Sequence, residues 1–198
     1  PVAKEIRINA PLICYNGALI VDIYNGNRIF EKPIPPQNLA YLINVIKSWD
    51  YQIVVYHNED LVVEELNERT NWYIGLCAGV DYFIVPDLIQ FIKNKGISSY
   101  KLFAIADIQR PKPVDKSLLE LLMKDYEVSH SRKGHMEITT KGVNKGNAVR
   151  LLAERLKIDR NEIIAVGDGC NDIAMLKYAG LGVAMGNAED RIKRYAKY

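Results

Sequence analysis

Residues 167–172 read Gly-Asp-Gly-Cys-Asn-Asp, and they follow directly after the apolar run Ile-Ile-Ala-Val at 163–166. A short apolar run that ends in a glycine-flanked turn is typical of a buried strand. Open parallel sheets bind ligands just beyond the carboxyl ends of their strands, so this turn predicts a binding site as well as an α/β fold.

Two acidic residues in this turn have different expected tasks. Asp172 has the residue type of a helix N-cap, and the apolar spacing of 173–179 followed by Gly180 predicts a short helix after it. Asp168 has no such capping task. Because Mg²⁺ takes oxygen ligands, a carboxylate at a rigid strand end suits it. From the turn alone, the alternative is that Asp172 is only a cap.

A second candidate site surrounds Lys145, within or just before the first turn of a helix predicted by the apolar spacing of 149–156. A positive charge at a helix N-terminus opposes the helix dipole, and the flanking Gly142 and Gly146 are poor helix formers. Local stability therefore does not explain these residues. A lysine beside backbone amides at a helix N-terminus can receive a phosphate. The alternative is a solvated lysine in a connecting loop.

The rest of the chain alternates apolar segments with turn signals. The spacing predicts strands at 12–15, 18–21, 28–33, 52–57, 101–107, 126–131, 135–139 and 181–184, and helices at 37–49, 87–95 and 117–124. A turn at Lys133-Gly134 joins 126–131 to 135–139, and the period-two pattern predicts a hairpin with one solvated face. Segments 60–69 and 71–80 have no decisive pattern.

The two ends of the chain indicate strand–helix–strand units, whereas the middle indicates hairpins and helices. We therefore expect an inserted domain at 22–136 and a core built from 1–21 and 137–198.

Composition excludes several classes of partner. Net charge is +2, from 26 basic and 24 acidic residues without a block of like charge, so we expect neither a nucleic-acid nor a membrane partner. No uncharged run is long enough to span a bilayer. The three cysteines are too few and too widely spaced for a disulfide framework, which favours a reducing compartment and a cytoplasmic protein.

Taken in order, the motifs resemble the haloacid dehalogenase superfamily, specifically Cof-type phosphatases with an inserted class IIB cap. The resemblance rests on Asn-Gly-Ala at 16–18, Gly-Val-Asn-Lys-Gly at 142–146, Gly-Asp-Gly-Cys-Asn-Asp-Ile-Ala-Met-Leu at 167–176 and Gly-Val-Ala-Met-Gly-Asn-Ala at 182–188. It implies a Rossmann-like core with an α+β cap, and substrate choice that resides in the cap.

The resemblance also implies a Mg²⁺-dependent phosphatase of small phosphorylated metabolites such as sugar phosphates, acting through an aspartyl-phosphate intermediate. Lys145 matches the lysine that balances the charge of nucleophile and phosphoryl group. Asp168 matches the metal-binding acid, and Asn171 and Asp172 match residues that contact phosphate and support the metal shell, with Asp172 as the second expected metal residue. Asn16 is expected to contact phosphate. A dianionic phosphate that approaches a carboxylate needs this cationic compensation.

One part of the family pattern is missing. The superfamily's Asp-x-Asp motif, which carries the nucleophile, occurs nowhere in these 198 residues. We therefore expect an internal piece of a longer enzyme with an incomplete core, inactive by itself. The alternatives are a non-catalytic phosphate-binding or regulatory derivative of the fold, a phosphomutase, or a more specialised sugar-phosphate phosphatase.

Overall fold

A computed structural model of the chain describes residues 8–77, 79–109, 113–130 and 134–198. These form two compact units: one joins the chain up to Lys32 with Val143–Tyr198, and the other is Pro33–Gly142. No helix among the described residues is both long and apolar enough to cross a membrane.

The elements are numbered in chain order. The described strands are β1 (Leu12–Cys14), β2 (Leu19–Val21), β3 (Arg28–Glu31), β4 (Gln52–His57), β5 (Asp60–Val63), β6 (Tyr82–Ile84), β7 (Leu102–Ile105), β8 (Tyr126–Ser129), β9 (His135–Thr140), β10 (Ile164–Gly167) and β11 (Leu181–Ala184). The described α-helices are α1 (Pro36–Lys47), α2 (Glu68–Leu76), α3 (Leu88–Lys95), α4 (Lys116–Leu122), α5 (Lys145–Leu156), α6 (Ile173–Tyr178) and α7 (Asp190–Lys193).

The unit Pro33–Gly142 is built on a six-stranded sheet with the order β6-β5-β4-β7-β9-β8. Its strands are antiparallel except for the parallel pair β5–β6. Alternate strand residues point to opposite faces, so Ile53 and Val55 pack with α1, α3 and α4, whereas Val54 packs with α2. Helices therefore cover both faces, and the α+β character expected of the middle domain is present.

Strand β9 corrects the expectation of a hairpin with one solvated face. It lies between β7 and β8, and its first five residues, His135–Thr139, are all buried. His135 stacks on Trp72, with ring centroids 4.7 Å apart. Period-two alternation did not indicate that a second layer covers the polar face of this strand. The predicted turn at Lys133-Gly134 lies partly outside the described residues, which omit 131–133.

The two unassigned segments contain β5 and α2. Helix α2 starts with a capping box, in which the Asn67 side chain accepts hydrogen bonds from the backbone N–H groups of Arg69 and Thr70, and the Thr70 hydroxyl lies 2.9 Å from the Asn67 nitrogen. Its buried residues are only Thr70 and Tyr73, so the helix has no broad apolar stripe for a sequence pattern to reveal.

The other unit contains the antiparallel sheet β1-β2-β3 and the parallel pair β10–β11. Beside β11, the backbone of Lys197 and Tyr198 bonds to Gly182 and Ala184. The predicted domain boundaries differ from those of the units: the boundary at 21/22 separates β3 from β2, and that at 136/137 cuts through β9. The expected α/β class, with a Rossmann-like core and a cap, agrees with this architecture.

Candidate active site

The turn after β10 is organised around the carboxylate of Asp172, a residue that is only 4% exposed. Its Oδ2 accepts hydrogen bonds from the backbone N–H groups of Asp168 at 3.0 Å and Gly169 at 2.9 Å. A Cβ on Gly167 would lie 2.5 Å from the Cβ of Asp172, so only glycine lets the strand end approach this side chain.

Asp172 stands at the N-cap position of α6, but its side chain does not cap that helix. Its side chain makes no capping hydrogen bond to α6, and its φ of −90° and ψ of −18° are helical rather than extended. The carboxylate points back to the turn that precedes it. The residue type is compatible with a cap of α6, but the carboxylate accepts instead from the amides of Asp168 and Gly169 in the tight turn.

Lys145 is the first residue of α5, directly after its N-cap Asn144, whose side chain accepts from the Asn147 N–H at 2.9 Å. The Lys145 Nζ lies 2.5 Å from Oδ1 of Asp172, and the lysine side chain is 28% exposed to solvent. The buried carboxylate therefore compensates the unfavourable placement of a cation at a helix N-terminus. This contact also excludes the alternative of a lysine in a loose connecting loop.

The structure gives Gly146 a packing role. A Cβ at this position would lie 2.5 Å from the carbonyl carbon and oxygen of Ala174. Glycine thus allows α5 to approach α6 backbone to backbone, which brings Lys145 within reach of Asp172.

The remaining site residues lie beside this pair. Asp168 is exposed at the end of β10, and its Oδ2 accepts a hydrogen bond from Nδ2 of Asn187 at 3.0 Å. The Asn171 Nδ2 lies 3.4 Å from Oδ1 of Asn16, a residue in the left-handed conformation with φ of 55°. All five predicted site residues therefore belong to one unit and are joined by direct contacts or by adjacency along the turn. Asn187 was not predicted, because only the fold places its turn beside Asp168.

This arrangement offers an exposed carboxylate next to a lysine that is already paired. No group of three or more histidine, cysteine, aspartate or glutamate side chains among the described residues could enclose a metal ion. A hard cation that keeps most of its water, such as Mg²⁺, fits a single exposed carboxylate better than a metal that needs a full protein shell.

Residues 1–198 match the family of haloacid dehalogenase-like hydrolases. The chain belongs to this family. The match confirms the resemblance found in the sequence, and it shows that the protein is a hydrolase.

Individual relatives agree with this assignment. A haloacid dehalogenase-like hydrolase from Bacteroides thetaiotaomicron is 28% identical with a TM-score of 0.83, over 100% of this chain and 74% of that one. The subclass IIB sugar phosphatase BT4131 shares the fold, with a TM-score of 0.79 at 20% identity, over 100% of this chain and 72% of that one. The 5-amino-6-(5-phospho-D-ribitylamino)uracil phosphatase YcsE of Bacillus subtilis is 44% identical over 75 residues, which are 38% of this chain and 30% of that enzyme. Together with the family, these likenesses support phosphatase activity.

Proposed function

We propose that this chain forms the charge-compensating part of a Mg²⁺-dependent phosphatase site for a small phosphorylated metabolite such as a sugar phosphate. The observation that carries the proposal is the contact of Lys145 with Asp172 beside the exposed Asp168. In this proposal Lys145, Asn171 and Asn16 contact the phosphate.

Geometry favours different tasks for the two acids. Both oxygens of Asp172 already accept hydrogen bonds, from Lys145 and from two backbone amides. Asp172 is therefore suited to holding Lys145 and the turn in place. Asp168 presents its carboxylate to solvent and is suited to direct contact with the cation. When bound, Mg²⁺ supplies positive charge that offsets the phosphoryl group.

Electrostatics gives Lys145 a role in both binding and rate. A phosphate monoester carries up to two negative charges at neutral pH, and a carboxylate nucleophile adds another. The ammonium group is fixed by Asp172, so it does not have to reorganise when charge builds up on the phosphoryl oxygens. Residues 1–198 contain no Asp-x-Asp pair, so we assign no nucleophile among them.

We also propose a cytoplasmic location, because Cys14, Cys77 and Cys170 are free thiols. The partner in this proposal is the small phosphorylated metabolite rather than a nucleic acid or a membrane.

The test uses the protein expressed from its whole gene, with an aryl phosphate as substrate. Activity should require Mg²⁺, and Asp168→Ala should lower kcat/KM by about 100-fold or more, because several kcal/mol of charge stabilisation depend on the ion. Lys145→Ala should lower kcat as well as raise KM, because its charge acts on the reacting phosphoryl group. Lys193→Ala, an exposed lysine on α7, is the matched control and should change neither.

Two results would contradict the proposal: full activity of Asp168→Ala at limiting Mg²⁺, or unchanged kinetics of Lys145→Ala. The second candidate is a non-catalytic phosphate-binding protein, and it applies if the protein expressed from its whole gene has no Asp-x-Asp pair. That protein would bind inorganic phosphate in a Lys145-dependent manner and show no turnover of any aryl phosphate with Mg²⁺ present.

A further inference from the structure

We propose that Asn187 is a positioning residue that orients the Asp168 carboxylate toward the cation. This inference rests on the proposed function, which leaves Asn187 without a task. Among the described residues, Asn187 is the one side chain that bonds to the Asp168 carboxylate, through Nδ2 and Oδ2 at 3.0 Å.

The backbone fixes Asn187 in this place. Strands β10 and β11 pair in parallel up to Gly167 and Ala184, and the Met185 N–H extends the ladder by donating to the Gly167 carbonyl at 3.0 Å. The Ala188 N–H then donates to the Met185 carbonyl at 2.9 Å, which closes the turn that carries Asn187. The turns after two neighbouring strands are thereby brought side by side.

Asp168 is then held at two points. Its backbone N–H donates to Asp172, and its Oδ2 accepts from Asn187. A carboxylate with one oxygen engaged by a fixed donor has a preferred orientation, with its second oxygen available for a cation. An asparagine suits this task because it donates without adding charge, whereas an aspartate would repel Asp168.

Binding of Mn²⁺, used in place of Mg²⁺, measures this role directly. Electron paramagnetic resonance measures the concentration of unbound Mn²⁺ in a solution of the protein expressed from its whole gene. Asn187→Ala and the similarly sized Asn187→Leu both remove the donor, and each should weaken Mn²⁺ binding by about 10-fold, the lower end for partners of metal ligands. Asn161→Ala, an exposed asparagine in the short turn Arg160–Glu162 of the same unit, is the control and should bind as the unchanged protein does.

Activity provides a second readout. Saturating Mg²⁺ should restore most of the kcat of Asn187→Ala, because the residue acts through Asp168 and touches no substrate in this proposal. Asp168→Ala should not be restored in the same way, because it lacks the ligand itself.

The outcomes separate this inference from the proposed function. Absence of Mn²⁺ binding by the unchanged protein would overturn the cation site itself, and with it the role of Asn187. Binding by the unchanged protein that is equally tight in both Asn187 variants would overturn only the positioning role. Loss of folding in Asn187→Ala, seen by circular dichroism, would leave the decision to Asn187→Leu, whose side chain fills a similar volume.

Discussion

Replacing Asp172 should destabilise the unit that carries the site, because one buried carboxylate joins three segments of it. The carboxylate accepts from Lys145 at 2.5 Å and from the amides of Asp168 and Gly169 at 3.0 and 2.9 Å. Removing one partner of a buried ion pair costs about 3–5 kcal/mol. Lys145 is 28% exposed and can regain water, so we expect about 3 kcal/mol for Asp172→Ala, at the lower end of the range.

Asp172→Asn should cost less, about 2 kcal/mol, within the range for hydrogen bonds to charged groups. The carboxamide oxygen can still accept from the amides of Asp168 and Gly169, but its NH₂ group would then face the ammonium of Lys145. The difference in the free energy of unfolding between Asp172→Ala and Asp172→Asn thus separates the contribution of the amide contacts from that of the ion pair.

Urea unfolding followed by circular dichroism gives the free energies. Since the chain has two compact units, native-state hydrogen exchange of single amides is the sharper probe. The amides of Asp168 and Gly169 should lose protection in Asp172→Ala and keep most of it in Asp172→Asn. If Asp172 were instead a cap of α6, the amides in the first turn of that helix would be the ones affected.

Glu154→Gln is the control, because Glu154 pairs with Arg150 at 2.8 Å but both side chains are more than half exposed. Such a surface pair contributes about 0.5 kcal/mol or less. The reasoning would be refuted if Asp172→Ala were no more destabilising than this control.

Two further predictions concern packing and pH. Gly146→Ala should destabilise the protein by about 1–3 kcal/mol in urea unfolding, because the new methyl group meets the backbone of Ala174. The control is Gly75→Ala in α2, where the methyl group meets nothing within 4 Å and should stabilise the protein by up to about 1 kcal/mol. Equal effects of the two substitutions would contradict the packing role of Gly146. Burial raises the pKa of Tyr56 and Tyr73, so these two hydroxyls, which bond to each other, should stay protonated in a spectrophotometric titration until the unit Pro33–Gly142 unfolds. Since the unfolded chain loses these protons above about pH 10, stability should fall there by up to about 1.4 kcal/mol per pH unit for each tyrosine, and ordinary titration of both in the folded protein would contradict this.

Sequence patterns predicted the elements whose apolar residues repeat clearly. Strand β4 was predicted at 52–57 and lies there, and α3 ends at Lys95 before the predicted stop at Gly96. Residues of the motifs at 16–18, 142–146 and 167–172 were expected to act on one phosphate and its metal ion, and the structure brings these motifs together through the contacts of Lys145 and Asn171.

The errors have a common physical cause, which is that neighbours distant in sequence decide the environment of a residue. The alternation of β9 predicted that its polar residues face solvent, but a second layer covers them, as the stacking of His135 on Trp72 shows. Asp172 is compatible with a cap of α6 by residue type alone, and residue types alone give Gly146 no packing role. In both cases the deciding partner, Gly169 or Ala174, depends on the three-dimensional path of the chain.

The placement of Lys145 depends as much on glycine as on charge. Gly146 lets α5 approach Ala174, and Gly167 lets the strand end approach Asp172, so the two charged groups meet at 2.5 Å. A methyl group at either glycine would lie 2.5 Å from atoms of Asp172 or Ala174, closer than atoms pack, so one partner would have to move away. We therefore infer that the glycines around the turn contribute to the site by setting backbone distances, and that the charged residues act only within the geometry that these distances allow.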